Sequence, residues 1–231
     1  MKLMHKLLNS VNFAAKKHTT QRRKNPEKSP YIEHPIGVAF ILADCGVEDV
    51  DVLIGAVLHD VIEDTNCGWD ELSKNFDERV IEYVREVTDD KSLPKDERKR
   101  LQIVHALEAS LGGRLIKMAD KLHNLSSFFD SIPVGWDAAR VQGYFVWSKK
   151  VVTNCMKGET TAPMIKLGKS LDDVFDGNFE IDGKIYDCIP KNVDLDSFLE
   201  KYYGDMKNCS DECEEGRKVV FSGRWDCDDQ M

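Results

Sequence analysis

An all-α domain followed by a small mixed α/β appendage is the fold class these 231 residues predict. Apolar positions recur at helical spacing as far as about residue 157, with short connections and no strand-type alternation. Beyond Pro163 the pattern changes, and Asp182-Gly183 stands between Phe179-Glu180-Ile181 and Lys184-Ile185-Tyr186 as a hairpin signal. With 42% hydrophobic and 32% charged residues, the chain has material for one sizeable core and is not disordered throughout. Its longest apolar run, Val52 to Leu58 around Gly55, is far below the roughly 18 residues a membrane span requires.

The first helix carries Leu7, Val11, Ala14 and Ala15 on one face. Met1 to Pro26 holds seven basic residues and no acid, a composition shared with mitochondrial presequences. No signal-type apolar stretch precedes it and it runs without a break into the chemistry below, so it reads as a working helix. His34-Pro35 opens a second helix, with proline in the first turn where its missing donor costs nothing, and Gly46 ends it. Asp49 or Asp51 caps a third, running through Val52, Leu53, Ala56, Val57 and Leu58 into HDVIEDT. Gly68 starts a fourth, predicted to continue through Phe76, Val80, Ile81 and Val84. Further helices are predicted at about 95 to 110, 113 to 130 and 136 to 157. After one more helix and the hairpin, Asp194 caps a segment through Phe198, Leu199 and Tyr202, and Lys218 to Trp225 around Ser222-Gly223 is a second, weaker hairpin candidate.

Charge is distributed unevenly. Residues 170–231 carry 17 acidic and 7 basic side chains, whereas residues 1–169 are nearly balanced and hold all six histidines. An acidic tail repels nucleic-acid phosphates, while the first part keeps local basic patches for a small anionic ligand. Seven cysteines, an odd number, fit free thiols in a reducing compartment, with the cytoplasm as the default. Cys209-x-x-x-Cys213 with Cys188 and Cys227 could supply four thiolates, yet the spacing lacks the close paired ligands of common zinc ribbons, and unpaired thiols are the plainer account.

Chemistry concentrates in HDVIEDT, residues 59–65. Read as continuing the third helix, it stacks His59 and Asp60 over Glu63 and Asp64 on adjoining faces. Three carboxylates directly after LIGAVL cost several kcal/mol per unpaired buried charge unless a cation compensates. Asp120 is a second polar intrusion, within the buried stripe of Leu115, Ile116, Ala119 and Leu122, and His34 at a helix entrance is a third candidate. Singly, each has a plain explanation: an exposed pair, a salt bridge from Asp120 to Lys117 or Lys121, a helix cap at His34. Together, two imidazoles and two carboxylates make a mixed nitrogen and oxygen site that suits Mn²⁺ or Fe²⁺ better than Zn²⁺ or Mg²⁺.

The ordered blocks QRRKNPEKSPYIEHPIGVA, HDVIEDT, EVTDDKSLPKDERK, ADKLHNL and RVQGYFVW resemble the HD-domain hydrolases of the RelA/SpoT superfamily, in particular the small single-domain metazoan SpoT homologues. The resemblance covers about residues 5–157. It implies an HD-domain helical bundle around a mononuclear site, residues 1–157, with residues 158–231 as an acidic extension of unknown role. It implies that His34, His59, Asp60 and Asp120 hold a single Mn²⁺ and that Glu63 and Asp64 handle the attacking water, without deciding which is the base. The family's substrate is the alarmone guanosine 5′-diphosphate (or triphosphate) 3′-diphosphate, cleaved at the 3′ position to release pyrophosphate. Arg23 and Lys24 match the basic pair of its nucleotide pocket, Tyr31, Asn124 and Tyr144 match further pocket positions, and Lys95 and Arg140 match phosphate-facing ones.

Departures from the family pattern are the C-terminal extension, the absence of a synthetase domain, and Ser126-Ser127-Phe128 where a basic residue is common, which removes one expected phosphate contact. Two other readings keep the site. One is removal of the 2′-phosphate of NADPH, and the other is a catalytically silent nucleotide sensor whose acidic tail binds a partner. A small-molecule nucleotide is the expected ligand, with no nucleic acid and no membrane partner; the oligomeric state is left open.

Overall fold

The computed structural model describes residues 3–203, an array of helices with one small hairpin. Helix α1 (Leu3–Lys17) turns Ser10 and Ala14 inward and packs on α3 (Val50–Leu58), whose residues from Val52 to Leu58 are all buried. Asp49 caps α3 by accepting from the Asp51 amide, satisfying one of the free donors of the first turn. Helix α2 (Glu33–Asp44) lies against both α3 and α8 (Leu111–Asp130), the longest element and the axis of the main core.

The third predicted helix ends earlier than the hydrophobic pattern implies. Helix α3 stops at Leu58, the backbone turns at His59 and Asp60, and a single-turn helix α4 (Val61–Asp64) follows. His59 Nδ1 donates to the Ala56 carbonyl at 2.7 Å, serving an acceptor that the helix end leaves open. The stacked-pair arrangement expected of HDVIEDT is therefore corrected to a turn between two helices. The fourth predicted helix is likewise two, α5 (Trp69–Asn75) and α6 (Glu78–Val87), because Phe76 and Asp77 adopt extended backbone. The break lets Phe76 meet the Phe13 ring of α1 edge-on at 5.2 Å and lets Asp77 pair with Lys6.

Helices α7 (Lys95–Glu108) and α9 (Ala138–Cys155) pack together, joined where the Trp147 indole donates to the Lys99 carbonyl and the Asn154 amide to that of Ile103. Trp147 and Phe145 are the bulkiest fully buried side chains. The extension adds α10 (Ala162–Phe175), the antiparallel pair β1 (Asn178–Ile181) and β2 (Lys184–Asp187), and α11 (Leu195–Tyr203). Asp182 and Gly183, at φ 52° and 75°, form the turn whose positive dihedrals the dipeptide favours. Met164, Leu167, Leu171, Phe175, Phe179 and Leu199 all enter the same core as α8 and α9. Phe179 stacks on Phe145 at 6.1 Å and on Tyr186 at 5.6 Å, and its burial contributes roughly 1.5–3 kcal/mol. Asp194 caps α11 through the Ser197 amide. The second hairpin candidate and Cys209, Cys213 and Cys227 lie outside the described residues; Cys188 is a buried free thiol. No helix among the described residues is long and apolar enough to cross a membrane.

Candidate metal centre and nucleotide cleft

His34 enters from the first turn of α2, His59 from the end of α3, Asp60 from the turn after it, and Asp120 from the middle of α8. Ligating atoms of His34, His59 and Asp120 all lie within 4.8 Å of one another. His34 Nε2 is 3.1 Å from Asp120 Oδ1, and Asp60 Oδ2 is 2.9 Å from His59 Nε2 and 3.6 Å from His34 Nε2. All four sequence-predicted ligands thus converge on one point from three buried helical regions.

Whether the group fits a cation is tested by His59. With Nδ1 committed to the Ala56 carbonyl, its Nε2 presents a lone pair among carboxylate oxygens, buried and without a hydrogen-bond partner. Only a proton or a metal ion relieves that arrangement. The proton alternative is visible in the electrostatics. Burial opposes charge on the His59 ring, but Asp60 beside it outweighs burial and lifts the pKa to about 9. Burial likewise opposes ionisation of Asp60, yet the flanking imidazoles hold its carboxyl well below the usual range. Asp120 is held low by Lys121 at 2.7 Å and by His34. The salt bridge weighed as its plain explanation is therefore present, and it leaves Oδ1 facing the imidazoles. His34 is not a helix cap; its Nδ1 meets His123 Nδ1 at 3.0 Å, and for Nε2 to be a ligand lone pair the proton sits on Nδ1 and is donated to His123. Burial lowers the His123 pKa to about 4, helped by His34 and Arg23, which keeps it a neutral acceptor.

A cleft of about 2220 Å³ opens beside this centre, from Lys17, Cys67 and Trp69 at one end to Phe128, Trp136 and Tyr144 at the other. Arg23, Lys24, Tyr31, Asn124 and Tyr144 line it. The loop bearing Arg23 is pinned by paired backbone bonds, Arg23 to Ser29 and Tyr31 to Gln21, with an isolated bridge between Arg22 and Pro30. Arg23 donates to Asn124 Oδ1 at 3.2 Å and lies 5.9 Å from the Tyr31 ring centre. Tyr31 donates to Asp60 Oδ2 at 2.7 Å, and burial together with Asp60 keeps its phenol protonated. Tyr144 serves both the cleft and the aromatic cluster with Phe128, Trp136 and Trp147. Lys95 and Arg140 are not among the lining residues. They flank the cleft, Arg140 over the Trp136 ring at 4.4 Å, and Lys95 has its pKa lowered by burial and by Arg140 and Lys24. Convergent cations of this kind await an anion.

Glu63 lines both the cleft and a small chamber of about 70 Å³ whose other walls include His59, Asp60, Asp120 and Lys121. It accepts a bond from the Asp89 amide, and burial, Asp89 and Asp60 push its pKa well up. Asp64 faces the cleft, with Oδ2 accepting from Gln21 and Oδ1 from Lys91, both at 2.9 Å. Sequence reasoning passed over Gln21, Lys91 and His123, and weighed Lys121 only as a salt-bridge partner of Asp120. His123 stands inside ADKLHNL three residues after Asp120 and so shares a helix face with it, a spacing that could have drawn attention to it.

Residues 10–140 match the HD-domain family. The chain is 50% identical over 170 residues to "Guanosine-3′,5′-bis(diphosphate) 3′-pyrophosphohydrolase MESH1" of Xenopus tropicalis, covering 73% of this chain and 92% of that protein. To the Homo sapiens protein of the same name it is 52% identical over 147 residues, 63% of this chain and 82% of the relative. A solved structure described as "A metazoan ortholog of SpoT hydrolyzes ppGpp and plays a role in starvation responses" superposes with a TM-score of 0.67 at 45% identity, over 73% of this chain and 94% of that one. A helical bundle matching an HD domain across its centre, and matching metazoan SpoT relatives over nearly their full length, places the chain in the HD-domain family, among the small metazoan SpoT homologues of the RelA/SpoT superfamily.

Proposed function

We propose that this protein hydrolyses guanosine 3′,5′-bis(diphosphate) and its 5′-triphosphate analogue at the 3′ position, releasing pyrophosphate, with one Mn²⁺ held by His34, His59, Asp60 and Asp120. The observation that carries this reading is the convergence of those four side chains beside a basic, aromatic-lined cleft. Relatives about 50% identical that bear the name of this activity support it. Two imidazoles with two carboxylates favour manganese by donor chemistry. When bound, the cation supplies Lewis acidity that draws charge off the phosphoryl oxygens and acidifies the attacking water.

The chain's own residues supply the rest. Arg23 and Tyr31 offer planar faces to the purine, while Lys24, Lys95 and Arg140 offer positive charge to the phosphates and Asn124 and Tyr144 polar edges to the sugar. Asp64 orients the water and takes its proton as the water oxygen bonds to the phosphorus attached at O3′. Glu63, whose carboxyl is held well above the usual carboxylate range by burial and by Asp89 and Asp60, is suited to return a proton to the departing ribose oxygen. Every residue used here lies within 1–157. The buried thiols of Cys45, Cys67, Cys155 and Cys188 suit the reducing cytoplasm.

Purified protein with Mn²⁺ is expected to release pyrophosphate, and His59→Ala or Asp60→Ala to lower kcat about a thousandfold or more. Glu63→Gln lowers kcat while the thermal midpoint is retained. Undiminished turnover in excess chelator would overturn the reading. Comparing kcat/KM for the alarmone and for NADPH on one preparation ranks the two substrates, and nucleotide binding without turnover in Mn²⁺ identifies a sensor instead.

A further inference from the structure

The Asp64 carboxylate is held by groups that no motif reading assigns. Gln21 Nε2 lies 2.9 Å from Asp64 Oδ2, and Gln21 Oε1 lies 2.5 Å from His18 Nδ1. The chemistry of the three groups fixes every proton in this line. A carboxylate only accepts, so the Gln21 amide must turn its NH₂ toward Asp64 and its carbonyl toward His18. A carbonyl only accepts, so His18 must carry its proton on Nδ1.

Both residues are anchored. His18 is 2% exposed, continues the hydrogen bonding of α1 through Ala14, and lies tilted against the Tyr31 ring at 5.1 Å. The Gln21 backbone is bonded on both sides, its amide to the His18 carbonyl and its carbonyl to the Tyr31 amide. Lys91, the partner of Oδ1, is by contrast 42% exposed on a loop.

We infer that His18 and Gln21 are positioning residues for the hydrolytic reaction: the His18–Gln21 line fixes the rotation of the Asp64 carboxylate so that Oδ1 faces the cleft. The Gln21 amide holds Oδ2 as a neutral donor, and Lys91 on the loop meets Oδ1 at 2.9 Å. This rests on the reading that Asp64 handles the attacking water.

The test is a set of variants assayed for Mn²⁺-dependent pyrophosphate release from the alarmone, with kcat, KM and the thermal midpoint measured for each. Gln21→Met is expected to lower kcat about ten- to a hundredfold with KM held within about threefold. His18→Phe keeps a ring against Tyr31 but loses the Nδ1 proton, and is expected to lower kcat about three- to tenfold. Members of one line do not add: His18→Phe/Gln21→Met should be no slower than Gln21→Met, and Gln21→Met should cost nothing further in an Asp64→Asn background. Wild-type kcat in Gln21→Met, or independent multiplying losses, overturns the inference. Should Gln21→Met fail to fold, His18→Phe decides alone, and wild-type kcat there overturns it equally. Full activity in Asp64→Asn overturns the role of Asp64 and this inference together, whereas an inactive Asp64→Asn beside a fully active Gln21→Met overturns the inference alone.

Discussion

Single side chains in this protein carry more charge inside than an ordinary core tolerates, and Lys99 shows the cost. Its ammonium lies 3.3 Å from the Trp147 ring centre and 5.3 Å from that of Tyr144, and burial, reinforced by Lys121, lowers its pKa from 10.5 to about 7. Because the folded pKa lies below the unfolded one, the unfolded chain binds the extra proton between about pH 7 and 10.5, and stability rises with pH across that window. Below pH 7 both states are charged and the folded one bears the full penalty. Replacing the amine by a thioether, Lys99→Met, should therefore raise the thermal midpoint most below pH 7, with the gain shrinking to nothing by about pH 10.5. A pair of pH-resolved melting series checks this, and a pH-independent difference would refute it.

His34, His59, Asp60 and Asp120 were legible only together: singly each has a plain explanation, and it is their coincidence, with the family resemblance, that points to one site. Gln21 and His18 were not legible, since they sit in a polar basic stretch where no background makes them conspicuous. Only the folded loop sets their side chains in line with Asp64.

At the level of elements, periodicity located nearly every helix but not the breaks at His59-Asp60 and Phe76-Asp77. Apolar spacing runs on across both, and the chain leaves the helix there for tertiary reasons: Asp60 meets Tyr31, and Phe76 meets Phe13. Contact between α2 and α8 supplies a further constraint that spacing does not show. A Cβ at Gly37 would lie 2.2 Å from His123 Nε2, so glycine is what allows that ring to reach His34. Gly37→Ala improves helix propensity by up to about 1 kcal/mol. It should nonetheless weaken Mn²⁺ affinity about ten- to a hundredfold, the usual cost of disturbing a residue that orients a ligand. Metal titration of the variant measures this, and unchanged affinity would show that His123 does not orient His34.

For the molecule as a whole, the acidic extension contributes to stability in its described part. The hairpin inserts Phe179 between Phe145 and Tyr186, and Phe179 is not among the residues lining the cleft. Phe179→Ala should cost about 3–5 kcal/mol of folding stability while leaving kcat at low temperature within twofold. Denaturant titration and the pyrophosphate assay on the same sample separate the two effects.

The partition between centre and cleft has an evolutionary corollary. All four candidate ligands issue from tightly packed helices or the turn between them, whereas of the cleft residues Arg23, Lys24 and Lys91 issue from connecting loops and Asn124 and Tyr144 from α8 and α9. Loops tolerate replacement that packed helices do not. A lineage can thus retune which nucleotide it accepts by editing surface connections, inheriting its hydrolytic engine unaltered.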